Sequence, residues 1–134
     1  MTRRTGVSVM LLLVAGLLAR GPVTAATPAQ ECRELKKDID EMQADHTEYA
    51  AEKRLSKQDI TELQQEAAEI RKDMDEYVAD TTSDADEVKK AQEGLQHVAR
   101  MEEGLREGRK GMVLNQYAKL IEVYRWFYAD EDCQ

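Results

Sequence analysis

After Pro28 the chain contains no proline, and among its 134 residues there are only two cysteines, Cys32 and Cys133. Without proline, nothing removes an i→i−4 hydrogen bond or forces the ring clash that ends a helix. Two cysteines and two widely separated histidines, His46 and His97, do not make up a tetrahedral zinc site. Aromatic residues amount to 5% of the chain, and runs of β-branched residues are rare, so strands are not expected. Serine is equally scarce: beyond residue 26 only Ser56 and Ser83 remain, and there is no glycine-rich phosphate loop. Asp80, Asp84, Asp86 and Glu87 lack the spacing and central glycine of an EF-hand loop, and helix capping explains them more simply. Neither an enzyme, a metal protein nor a cofactor-binding protein is expected.

What is present starts with the leader. Arg3 and Arg4 precede the uncharged apolar stretch from Gly6 to Ala19, and small residues follow at Thr24-Ala25-Ala26. That order is the order of a cleaved signal peptide. The 14 apolar residues, closed by Arg20, are too few for the ~20 needed to span a bilayer. Residues 1–26 are therefore expected to be removed on export to the periplasm or the exterior, with no stable membrane insertion afterwards. Loss of Arg3, Arg4 and Arg20 leaves 16 basic residues against 27 acidic ones, a net charge of −11. So acidic a chain is repelled by nucleic acid and by anionic lipid headgroups.

From Thr27 onward the pattern is helical. Thr27, Pro28 and Gln30 combine a cap, a first-turn proline and a capping-box partner. Stepping alternately by three and four from Cys32 meets thirteen positions from Leu35 to Tyr77, ten of them apolar or aromatic. A 3.5-residue repeat sustained over that length reads as a coiled-coil seam. Val88, Ala91, Leu95, Val98 and Leu105 continue it after a turn at 80–84, where Asp84 and Glu87 form a second capping-box pattern. The expected fold is all-α: a single domain over 27–134, with a helix at about 28–79, a turn, and a helix at about 85–129, paired as a long antiparallel hairpin.

If that hairpin folds about Thr82 and Ser83, paired residue numbers sum to 165. Ile70 then meets Leu95, Met42 meets Val123, and Cys32 meets Cys133. The rule follows from the turn and the apolar stripes, yet it unites the only two cysteines, and export would let such a disulfide persist. The middle fits less well. Lys53 and Ser56 fall on the seam, and Gly104, Gly108 and Gly111 cluster opposite. A kink near 53–57 and 104–111 is expected there, or a true break giving a compact bundle of four shorter helices.

The chain beyond Gly111 is apolar almost all round. Tyr117, Leu120, Ile121, Tyr124, Trp126, Phe127 and Tyr128 exceed what one opposing helix can cover. Excess apolar surface marks an interaction site, so these seven residues are the expected partner-binding surface, for self-association as a homo-oligomer or for another protein. The sequence thus points to an exported interaction protein, such as a scaffold, spacer or assembly factor. A chaperone or inhibitor holding a client on the same surface is the alternative.

Overall fold

The computed structural model describes residues 28–133. Four helices follow one another: α1 (Pro28–Ala51), α2 (Lys57–Ala79), α3 (Ala85–Glu107) and α4 (Lys110–Asp130). No strand occurs among the described residues. The expected leader and the Thr27 cap lie outside them. The helix expected over 28–79 is interrupted at 52–56, and the one expected over 85–129 at 108–109. Both interruptions fall where the seam pattern loosens.

Each boundary has a local cause. Ser56, read from the sequence as a seam residue, is instead the N-cap of α2. Its hydroxyl accepts the Asp59 N–H at 3.0 Å, and the Asp59 carboxylate accepts the Ser56 N–H at 2.9 Å. This reciprocal box satisfies two of the N–H groups that every helix start leaves free. The carbonyls at the end of α1 are satisfied from far along the chain, by the Lys110 ammonium on Ala50 O and Glu52 O. Asp84 and Glu87 form the box anticipated for α3. Helix α3 ends at Gly108, whose φ of +68° places it in the left-handed region that a side chain disfavours.

Helix α4 runs beside α3 and α1, and α3 runs beside α2. Three helices come close together at Gly94, where an added Cβ would lie 2.9 Å from Met74 Sδ on α2 and 3.5 Å from Val123 on α4. The fully enclosed side chains include Met42, Leu63, Ile70, Met74, Val98, Met101 and Leu120, drawn from all four helices. After α4 the chain reverses sharply. Asp132 adopts φ +56°, Cys133 N–H bonds to Tyr128 O at 3.1 Å, and Asp132 N–H bonds to Ala129 O at 3.1 Å. This left-handed cap turns Cys133 back onto Cys32, with a Cα–Cα distance of 5.3 Å and a disulfide between them. The pairing given by the sum rule is present.

Candidate functional site

The seven residues expected to bind a partner are mostly interior. Tyr117, Leu120, Ile121, Tyr124 and Phe127 are buried, and only Trp126 and Tyr128 remain half-exposed. The apolar excess of α4 is taken up inside the molecule, because two helices, α3 and α1, lie against it. Phe127 stacks on Tyr77 of α2 at 4.2 Å between ring centroids, and Trp126 meets Phe127 edge-on at 5.1 Å. Lys90 of α3 sits 5.6 Å from the Trp126 ring.

A line of buried acids runs through the interior, at positions that the seam pattern assigns to solvent. Asp38 and Asp45 on α1, and Asp59, Glu66 and Asp73 on α2, are all buried, and each set repeats every seven residues. A seven-residue step returns to the same helix face, so each set forms one stripe. Tyr117 and Tyr124, also seven apart, meet the α2 stripe from α4. The Tyr117 hydroxyl donates to Glu66 at 2.6 Å and the Tyr124 hydroxyl to Asp73 at 2.9 Å. A further donor, Tyr49 of α1, reaches Glu62 of α2 at 3.3 Å. The signal was present in the sequence, as acids one place ahead of seam residues. At the edge of a two-helix seam that position faces water, whereas here these acids are buried.

Toward the disulfide end this stripe is under-satisfied. Asp38 Oδ1 and Oδ2, Asp73 Oδ1 and Glu34 Oε2 are buried and accept no hydrogen bond. Burial, then the nearby Asp73, Glu41 and Glu34, pushes the Asp38 carboxyl up to about 8, against a small opposing pull from Lys37. Burial pushes Asp73 up to about 7, although its bond from Tyr124 favours the ionised form. Burial and the adjoining acids also raise both tyrosines, Tyr117 and Tyr124, well above the usual phenol range. Chemically the arrangement retains protons: at neutral pH the Asp38 carboxyl is held mainly in its neutral form, and Asp73, bonded from Tyr124, is about half protonated.

The remaining polar candidates have structural partners. His46 Nε2 lies 3.1 Å from Leu114 O, and its ring stacks on Tyr117. His97 Nδ1 pairs with Gln116 Oε1 at 2.8 Å. The two histidines therefore reach neighbouring positions of α4, from α1 and from α3. Ser56 is a cap, and Ser83 donates its N–H to Asp80 O within the turn. Among the described residues, one group of three potential metal ligands falls within 4.8 Å, namely Asp84, Glu87 and Asp130. Asp84 and Glu87 are already committed to the α3 capping box.

Two local gatherings of charge stand out. At the disulfide end, Glu131 is held above the usual carboxylate range by burial and by Glu31, Glu87 and Asp130 around it. At the other, Lys53 and Arg54 of the first turn and Lys110 of α4 line a common cleft. Helix α1, 24 residues long, separates these ends by roughly 36 Å at ~1.5 Å per residue. Among the described residues no helix is long and apolar enough to cross a membrane. No family model, no curated protein and no solved structure matches the chain.

Proposed function

We propose that the protein is a small exported interaction module: a compact four-helix bundle, clasped by Cys32–Cys133, that binds a basic protein partner at its acidic disulfide end. The bundle arrangement, rather than a kinked hairpin, is supported by α3 lying beside α4 and by the Tyr117–Glu66 and Tyr124–Asp73 bonds between α4 and α2. In an extended hairpin α3 and α4 would be successive parts of one rod, touching only at their junction. Export is supported by the leader pattern and by the disulfide, which persists in oxidising compartments.

The observation that carries the partner reading is the gathering of Glu31, Glu87, Asp130 and Glu131 around one end, with Trp126 half-exposed on α4. Surface acids at this density steer a positively charged partner and set its orientation. Trp126 offers the kind of rigid aromatic anchor that concentrates binding energy. A reading in which unfolded clients are held on the aromatic helix has less support, because five of the seven residues it needs are enclosed.

The test is affinity capture from the envelope fraction of the source cell. The wild-type chain is compared with a variant carrying Glu31→Lys, Asp130→Lys and Glu131→Lys, and with Trp126→Ala. A basic protein should be retained by the wild type, lost with the charge reversal, and released as salt rises. Equal capture by all three proteins would refute the reading.

A further inference from the structure

The end opposite the disulfide holds a cleft of about 470 Å³, lined by Lys53, Arg54, Leu55, Ile60, Gly104, Leu105, Gly108 and Lys110. That volume lies within the ~300–1,000 Å³ of small-molecule sites. Two features set the cleft apart from the rest of the surface. The chain has a net charge of −8, yet three lining residues are cations and none is an acid. Its apolar part is real as well: Leu105 is buried and Leu55 and Ile60 are half-buried beneath the exposed Lys53 and Arg54.

Local structure explains why the positive charge is left uncompensated. The Lys110 ammonium is fixed by two carbonyls at the end of α1, neutral acceptors that leave its charge in place. Among the described residues neither Lys53 nor Arg54 enters an ion pair. Helix α4 also starts here, without a side-chain cap at Arg109 and without an acid in its first turn. Its free N–H groups and the positive end of its dipole add to the field of the three side chains. In contrast, α2 and α3 each begin with a complete capping box.

We propose that this cleft binds an anionic amphiphile. A carboxylate or phosphate head would lie among Lys53, Arg54 and Lys110, and an apolar portion against Leu55, Ile60 and Leu105. The site is at the opposite end from the proposed partner surface and does not depend on it. Its natural ligand is a small molecule rather than a membrane, because the basic residues lie around one confined cleft and the chain as a whole carries a net charge of −8.

The experiment uses the disulfide-bonded protein, titrated below the micelle concentration with decanoate, with decyl phosphate and with decanol as the neutral counterpart. Calorimetry gives affinity, and amide NMR gives location through the Gly104 and Gly108 signals. Either anion should bind saturably, at least tenfold more tightly than decanol, and should shift those two glycines. The stronger of the two anions identifies the natural head group. The double variant Lys53→Glu, Arg54→Glu, both residues being exposed and in a turn, should keep the helical spectrum and lose at least tenfold in affinity. A Lys36→Glu variant, on an exposed part of α1, should bind as the wild type does. Equal binding of decanol, shifts confined to other residues, or full affinity in the double variant would overturn the proposal. So would head-to-tail association of copies through Lys53 and Arg54 without anion binding, which would assign the cleft to the acidic end of a second chain.

Discussion

Replacing Asp38 by asparagine should stabilise this protein at neutral and alkaline pH, and the stabilisation should vanish in acid. Asp38 is fully buried, with both carboxylate oxygens unpartnered. It faces Glu34, Glu41 and Lys37 from its own helix, Asp73 from α2 and, beyond Asp73, Tyr124 of α4. Its pKa in the folded chain is about 8 against 3.8 for the free side chain. The folded state therefore binds the proton more tightly than the unfolded state. Stability from this group is complete below about pH 4 and is lost progressively as pH rises toward 8, opposite to the usual carboxylate in an ion pair. At ~1.4 kcal/mol per pKa unit, the loss by pH 7 is about 4 kcal/mol, an upper figure before the core relaxes or admits water. Asp73, with a pKa of about 7, acts in the same direction over a slightly lower window.

An asparagine keeps the shape, cannot ionise and adds an amide donor beside unpartnered oxygens of Asp73 and Glu34. Urea unfolding, followed by circular dichroism from pH 4 to 9, should show the wild type losing stability as pH rises. Asp38→Asn should flatten that slope and exceed the wild type by ~2.5 kcal/mol at pH 8, half the ionisation cost of about 5 kcal/mol there. Asp75→Asn, on an exposed face of α2, serves as the control for general charge repulsion. A wild type equally stable at pH 4 and pH 9, or an Asp38→Asn protein weaker than the wild type at pH 8, would refute the reasoning.

Three further outcomes follow from the same structure. Tyr124→Phe removes the hydroxyl that donates to Asp73 and leaves that carboxyl without its one bond. It should cost ~1–3 kcal/mol in urea unfolding, and a change indistinguishable from zero would mean that water reaches Asp73. Opening the disulfide, by Cys32→Ser with Cys133→Ser, frees a loop of 101 residues' separation and should cost about 4 kcal/mol. A melting temperature unaffected by reductant would contradict that. Gly108→Ala forces a side chain into φ +68° and should cost ~1 kcal/mol, although space for the methyl group is open. Gly111→Ala, at a helical position with nothing within 4 Å, should be neutral or stabilising, and thermal melts of the pair distinguish backbone strain from packing.

Much of the architecture was legible along the chain because it rests on local physics. Missing proline, the stripe from Leu35 to Tyr77 and the Asp84–Glu87 box suffice to place helices and the turn at 80–84. The cysteine pairing was legible too, since it follows from the register of that turn. The break at 52–56 was harder. Its local mark, Ser56 followed by Asp59, is a capping box hidden inside an apolar repeat. The other support for that break, Lys110 on the last carbonyls of α1, comes from nearly 60 residues away.

The expected partner surface shows the same limit from the other side. One facing helix leaves Tyr117, Tyr124 and Phe127 partly uncovered, but α1 and α3 both lie against α4 and all three are buried.

The helical character, the turn at 80–84 and the apolar faces were determined by the sequence itself, because spacing and capping act between near neighbours, and the register of that turn brought Cys32 to Cys133. Which acids lie inside was decided only by tertiary structure. Asp38 and Asp73 stand next to seam positions, where an aspartate on a helix pair is ordinarily hydrated. They become buried, proton-retaining groups when α4 brings Tyr124 against them and excludes the water that would have kept them charged.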